Sequence, residues 1–311
     1  MFEVNQTKVM EILLLGFQNT WTVNCFLFVL FLVIYILTLV GNLLIIILVA
    51  QFQVLQSPMY FFITQLSVCD ILLTTNTVPN MLHIIINGGS TISLSGCITQ
   101  FYFFCVTEAT ECFILTVMSC DRYLAICRPL RYTSIMTFQF CFQLILISWL
   151  LSCILTLILV HQVAALQFCG HVIDHYFCDL IPLLKLSCTK HTLVELIDFI
   201  LAIPFVSMPF FFILCTYVYI FITILGISSN TGRQKAFSTC SAHLTVVVAY
   251  YGSLISVYMA PSKVQSYNIN KVLFLLYTVL CPFFNPIIYS LRNEDIKISL
   301  NKFILSSLGM I

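Results

Sequence analysis

The chain has 311 residues, of which 60% are hydrophobic and only 8% charged, with a formal net charge of +1. A soluble protein needs roughly 25% charged residues to cover its surface, so the surroundings of this chain must be largely lipid. The composition therefore excludes a soluble enzyme, a disordered regulator, a coiled coil and a nucleic-acid-binding protein. The small net charge also provides no field that would recruit polyanions.

Charged residues divide the sequence into long uncharged stretches, the longest of which covers residues 12–69. Crossing about 30 Å of hydrocarbon takes about 20 apolar residues, so this stretch holds two spans, separated by the polar segment 51–58. The solid apolar block 43–49 lacks the alternation of a β-barrel strand. We predict an all-α membrane protein, a seven-transmembrane helix bundle with spans at 22–50, 58–86, 97–127, 139–166, 194–226, 236–260 and 271–291.

This pattern divides the chain into an N-terminus at 1–21, a seven-span domain at 22–291 and a tail at 292–311. In the tail, the apolar residues Ile296, Leu300, Phe303 and Ile304 recur at helical spacing among charges. That spacing predicts a short amphipathic helix lying along the membrane surface.

The charges between the spans predict the orientation. With the N-terminus outside, eight Lys and Arg residues lie on the cytoplasmic side and five on the other, which is the usual direction of the bias. Residues 1–11 carry charges and no apolar core, so we expect the first span to direct insertion instead of a cleaved signal. Asn5 begins a glycosylation sequon, which is used only if exported. We therefore expect a multi-pass plasma-membrane protein with an extracellular N-terminus and a cytoplasmic C-terminus.

Four cysteines fall on the predicted outer face, namely Cys97, Cys169, Cys178 and Cys188. An oxidising compartment suits them, and four cysteines allow three disulfide connectivities. With His171 and His175 in the same loop, zinc is an alternative. We do not expect a metal centre here, because a cysteine in a disulfide no longer supplies a thiolate ligand.

Three carboxyl groups lie inside predicted spans, where ionisable groups are costly and usually mark a function. Asp70 is in the middle of the second span, and Glu108 and Glu111 share one face of the third. Either a cation, such as sodium, lies between Asp70 and Glu111, or the carboxyls are protonated and join helices by hydrogen bonds.

Two further motifs have the character of switches. Asp121-Arg122-Tyr123 lies at the inner end of the third span, where Arg122 can pair locally or reach another helix. Asn285-Pro286 interrupts the seventh span shortly before Tyr289, and a proline there removes one backbone hydrogen bond and kinks the helix. We expect this kink to act as a hinge, and a static kink is the alternative.

In segments 58–70, 118–127, 235–244 and 282–293, the chain resembles a vertebrate olfactory (odorant) receptor of the rhodopsin-like (class A) G-protein-coupled class, and its short outer loops resemble the tetrapod type (class II). The resemblance covers nearly the whole chain. Its most diagnostic segment is 235–244, which opens the sixth span. The other matching segments are 58–70, 118–127 and 282–293.

The resemblance implies that the protein is not an enzyme and that disulfides join Cys97 to Cys178 and Cys169 to Cys188. It implies a small organic odorant as ligand and a stimulatory, olfactory-type heterotrimeric G protein as partner, with a rise in cyclic AMP. The ligand-binding residues implied are Phe101, Phe104, Cys105, Glu108, Ala109, Ala202, Phe205, Tyr251, Leu254, Ile255, Tyr258 and Tyr277. The activation and G-protein-coupling residues implied are Asp121, Arg122, Tyr123, Tyr217, Arg233, Lys235, His243, Asn285, Pro286 and Tyr289.

Three rival functions remain to be weighed. An ion channel or transporter would use the intramembrane acids as an ion path, but transporters usually show repeats and paired broken helices, which this sequence lacks. A non-olfactory receptor of the same class is disfavoured by segment 235–244. An intramembrane enzyme needs a nucleophile–base pair or a metal cluster, and His161 and His243 are isolated in the sequence.

Overall fold

The structure is a computed structural model that describes residues 10–258 and 267–307. Asn5 lies outside the described residues, and so do the side chains of Lys235 and Tyr258. The helices are α1 (Trp21–Gln51), α2 (Pro58–Asn87), α3 (Leu94–Cys127), α4 (Pro129–Ile135), α5 (Phe138–Ala164), α6 (Leu180–Lys185), α7 (Thr192–Ala202), α8 (Met208–Leu225), α9 (Asn230–Tyr258), α10 (Tyr267–Leu275), α11 (Cys281–Arg292) and α12 (Glu294–Ser307). The strands are β1 (Glu11–Leu14), β2 (Ser90–Ser93) and β3 (Val172–Ile173).

Seven helical segments in the described ranges are long and apolar enough to cross a membrane, which confirms the prediction of a seven-helix bundle. The fifth combines α7 and α8, and the seventh combines α10 and α11. Each of these two spans contains a π-helical turn, at Ile203–Ser207 and Leu276–Leu280. Such turns place one extra residue within a helix and are frequent at functional sites. The tail forms α12, as its periodicity predicted.

Helix α3 is the centre of the bundle, since it packs against α2, α5, α8 and α9. It begins where the Ser93 side chain accepts a hydrogen bond from the backbone N–H of Gly96, at 3.1 Å, as an N-cap serine normally does. Helix α1 packs closely against α11 at Pro286, since a Cβ at Gly41 would lie 3.1 Å from Cγ of Pro286.

A three-stranded sheet at one end of the bundle was not predicted from the sequence. Strand β1 pairs antiparallel with β2 and parallel with β3. Ile12 and Leu14 of β1 are both 0% exposed, so this segment is part of the core rather than a loose extension. Just after it, Gly16 has φ +62°, and any side chain there would collide with Ile84 of α2.

Two disulfides lie at the same end. Cys97 at the start of α3 bonds to Cys178, with Cα atoms 5.5 Å apart, and Cys169 bonds to Cys188, with Cα atoms 5.7 Å apart. This is the pairing that the resemblance implied. The first disulfide fixes the loop between α5 and α7 to the central helix, and the second closes that loop on itself.

Candidate functional site

An aromatic cluster lies beneath the sheet. The Phe104 ring centroid is 5.0 Å from that of Phe177 and 5.4 Å from that of Phe274. The Tyr277 ring is 6.2 Å from Phe104, edge to face. Phe104 and Tyr277 were predicted as ligand-binding residues, whereas Phe177 and Phe274 were not. The cluster therefore combines α3, the disulfide-bonded loop and the seventh span.

Glu108 lies one turn further along α3. The Tyr277 hydroxyl donates a hydrogen bond to its carboxyl group, and the Tyr250 hydroxyl donates to its backbone oxygen at 3.0 Å. Three spans thus meet at this one residue. Tyr250 was not in the predicted ligand set, although it precedes Tyr251, which was.

The other predicted ligand-binding residues divide by burial. Phe101, Ala109, Tyr251 and Leu254 are buried, whereas Cys105, Ala202 and Phe205 are half-buried. The Tyr251 ring contacts Phe210 at 5.1 Å. Ile255 is 46% exposed and does not join the buried set. It follows Leu254 directly, and consecutive residues of a helix point about 100° apart.

Two carboxyl groups that were not among the predicted ligand-binding residues also act on Glu108. Asp179 in the loop and Asp198 in α7 both interact with it electrostatically. Burial raises the pKa of Asp179 to about 6, opposed by the hydrogen bond from the backbone of Leu180. The outer part of the site therefore contains carboxyl groups as well as aromatic rings.

In the middle of the bundle, Asp70 meets the seventh span just before Pro286. The Asn285 side-chain amide donates to both carboxyl oxygens of Asp70, at 3.0 and 3.1 Å. Asn285 therefore bonds to Asp70, and the Pro282 oxygen, which Pro286 deprives of its helical donor, accepts from the Asn42 side chain at 3.3 Å.

Glu111 faces the same region and interacts electrostatically with Asp70. Its Oε1 is buried without a hydrogen-bond partner among the described residues. A buried carboxyl oxygen without a hydrogen-bond partner is a suitable ligand for a small cation. The described part of the chain, however, holds no cluster of three or more His, Cys, Asp and Glu side chains that could bind a metal ion.

At the end of the bundle opposite the sheet, Asp121 and Arg122 pair with each other. Arg122 Nε donates to Asp121 Oδ2 at 3.0 Å, and the Tyr132 hydroxyl donates to Asp121 Oδ1 at 2.9 Å. The local pairing is therefore the one adopted. Tyr132 of α4 was missed by sequence reasoning, because nothing in its own surroundings indicates that it reaches α3. The neighbouring Tyr123 ring faces Tyr219 of α8, 6.2 Å away.

His243, near the middle of α9, joins three helices. Its Nδ1 is 2.7 Å from the Tyr217 hydroxyl and its Nε2 is 3.1 Å from the backbone oxygen of Leu115. A carbonyl can only accept, so Nε2 carries the proton and Nδ1 accepts from Tyr217. Arg233, at the start of α9, donates instead to the backbone oxygen of Ile227 at 3.1 Å.

A cleft of about 710 Å³ opens beside these residues. Arg122 and Tyr289 line it, together with residues of α2, α9 and α12. The Tyr60 hydroxyl lies within hydrogen-bonding distance of Asn293 Oδ1, at 3.0 Å, and of Asp295 Oδ2, at 2.9 Å. The start of α12 is thereby attached to α2, and it forms one wall of the cleft.

Known proteins are similar to this chain over nearly its whole length. The olfactory receptor family model matches residues 31–307. Human olfactory receptor 11L1 is 44% identical over 308 residues, covering 99% of this chain and 96% of that protein. Mouse olfactory receptor 1M1 is 44% identical over 301 residues, covering 96% of both. Among solved structures, squid rhodopsin superposes with a TM-score of 0.73 at 15% identity, covering 94% of this chain and 89% of that one, which supports the fold alone.

Proposed function

Since the chain belongs to the olfactory receptor family, we propose that it binds a small organic odorant beside Glu108 and activates a stimulatory heterotrimeric G protein, raising cyclic AMP. Its class is that of an odorant-type G-protein-coupled receptor, a multi-pass membrane protein and not an enzyme. The ligand site, the direction of signalling and the type of G protein are the proposed parts.

The observation that carries the proposal is that one span joins the two ends of the molecule. The seventh span contributes Tyr277 to the outer cluster, Asn285 to the contact with Asp70, and Tyr289 to the cleft. A π-helical turn surrounds Tyr277, and Pro286 follows Asn285. A helix interrupted in this way can change its shape between the two ends.

Signalling then requires two states of the bundle. A ligand shifts such an equilibrium only by binding one state more tightly than the other. We propose that the odorant favours the state in which the inner end of α9 has moved outward, which breaks the contact of His243 with Leu115 and Tyr217 and widens the cleft for the G protein.

The proposed orientation places the sheet outside the cell. Both disulfides lie at that end, and disulfides form and persist in the oxidising environment outside the cell. Arg122, Arg128 and Arg131 lie at the opposite end, where basic residues face the cytoplasm.

Replacing Arg122 tests the coupling. Arg122→Ala should abolish the odorant-evoked cyclic AMP response in a reporter cell while surface display is kept. Lys302→Ala is the matched control, because Lys302 is an exposed cation of α12 at the same end. A normal response of Arg122→Ala to the same odorant panel would refute the proposal.

We further propose that a sodium ion binds near Asp70 and Glu111, on the strength of the orphaned Glu111 oxygen. The purified receptor should then melt at a higher temperature in sodium chloride than in an equal concentration of N-methylglucamine chloride. Glu111→Gln should remove that difference. A sodium effect of the same size in the variant would exclude this residue as a ligand.

A further inference from the structure

Lys271, in the outer part of the seventh span, is 1% exposed. Its ammonium group donates to Asp174 Oδ1 at 2.6 Å and to the backbone oxygen of Gly16 at 2.8 Å. The Tyr176 hydroxyl donates to the backbone oxygen of Lys271 at 3.3 Å. One residue of the bundle therefore holds both the N-terminal segment and the disulfide-bonded loop.

The two segments that Lys271 holds are also bonded to each other. The backbone N–H of Leu13 donates to the oxygen of His171 at 2.7 Å, and that of Gly16 donates to the oxygen of His175 at 3.2 Å. The Phe17 ring stacks on Tyr176 with centroids 5.2 Å apart. We call residues 10–17 and 171–177 together the outer cap.

The outer cap covers the aromatic cluster. The Tyr176 ring stacks on His175, with centroids 4.5 Å apart, and His175 in turn meets Phe274 edge to face at 5.3 Å. Phe177 contacts Phe104. A small molecule that approaches Glu108 from outside through this part of the bundle has to pass the cap or displace it.

The ion pair between Lys271 and Asp174 is partly accessible to solvent. A buried ammonium group is stable only while it is paired, and losing one partner is strongly destabilising. Of the two partners, the Asp174 side chain is 37% exposed, so water and solutes can reach the carboxylate. If the pair opens, Lys271 loses its charged partner and the cap loses its one ion pair with the seventh span among the described residues.

We propose that Lys271 is a positioning residue for ligand access, which locks the outer cap over the odorant site through Asp174 and Gly16. Opening of this contact sets how fast small molecules enter the bundle. The proposal rests on the proposed function in one respect, the location of the ligand site beside Glu108.

Access can be measured without an odorant, through the thiol of Cys105. This residue lies on α3 between Phe104 and Glu108, is half-buried, and is close enough to Asp179 of the loop to interact with it electrostatically. The probe is the membrane-impermeant cation 2-(trimethylammonium)ethyl methanethiosulfonate, applied from outside the cell. Mass spectrometry of the peptide that contains Cys105 gives the modification rate, and Cys105→Ser gives the background.

Lys271→Met should increase the modification rate roughly tenfold, the factor that corresponds to about 1.4 kcal/mol. Asp174→Asn should give a similar increase, and the double variant should give no further one, because both changes remove the same contact. Lys190→Met is the matched control, since Lys190 is exposed in the same loop, and its rate should equal that of the unaltered receptor.

Asp174→Asn also covers the case in which Lys271→Met does not reach the cell surface, since Asn keeps the shape of the half-buried Asp174 side chain and the Lys271 ammonium keeps its hydrogen bond to Gly16. The proposal would be overturned if Cys105 were modified no faster in Asp174→Asn than in the unaltered receptor. Because the readout is chemical access, it stays informative if the G-protein assignment fails.

Discussion

The N-terminal strand offers a sharp quantitative test, because Leu14 is 0% exposed although it lies ahead of the first span. Leu14→Ala removes about three carbon atoms, worth about 0.8 kcal/mol each for transfer from water. The cavity left behind adds to this, so we expect a total loss of about 3 kcal/mol. The transfer value for water applies because strand β1 pairs in the sheet outside the spans.

Hydrogen exchange followed by mass spectrometry locates the loss. The backbone N–H groups of Leu13, Leu15 and Gly16 donate to the loop, so the peptide that covers residues 10–17 should exchange much faster in Leu14→Ala. Peptides from the spans should be unchanged, because the strand can open locally. Met10→Ala is the control, since Met10 is 68% exposed. Equal protection of the strand in Leu14→Ala and Met10→Ala would refute its burial.

Two further predictions concern the outer face, and a third concerns Glu108 within the third span. Cys178→Ser should cost about 2–5 kcal/mol and sharply reduce surface display, as measured by flow cytometry; undiminished display would show that the disulfide is dispensable. Burial and the Lys271 ammonium lower the pKa of His175 to about 3, opposed by Asp174. His175 therefore binds a proton more tightly in the unfolded chain than in the folded one, and the stability that it contributes above about pH 6.5 is lost as the pH falls. The melting temperatures measured at about pH 7.5 and about pH 5 should differ less in His175→Gln than in the unaltered receptor. Glu108→Gln should change the responses to amines and to neutral odorants unequally, and equal responses to both classes would remove Glu108 from recognition.

The spans could be predicted from the sequence because lipid imposes a local requirement, about 20 apolar residues in succession. Strand β1 carries no such local signal. Its four residues gain their role from two partners, β2 and β3, that lie far along the chain. Since pairing of distant short segments depends on how the bundle brings them together, the sheet could not be deduced from periodicity.

The site shows the same division. Asp70 was singled out because it is a carboxyl inside a span, and Asn285 because it precedes a proline, yet their contact joins residues 215 positions apart. Lys271 was counted only as one charge on the outer face. Its burial and its two partners follow from the packing of the cap, which composition and spacing do not encode.

The contact of Tyr60 with Asn293 and Asp295 has a consequence for the inner cleft. The two walls of the cleft are therefore held in different ways. Side-chain hydrogen bonds join α2 to α12 on one side, whereas on the other side His243 holds α9 near its middle. A protein that docks there meets one wall that these hydrogen bonds hold in place and one wall, α9, that the proposed activation moves. Under the proposed mechanism, the tail helix would stay in place while the space beside it depends on contacts of α9 that include His243 and Tyr217.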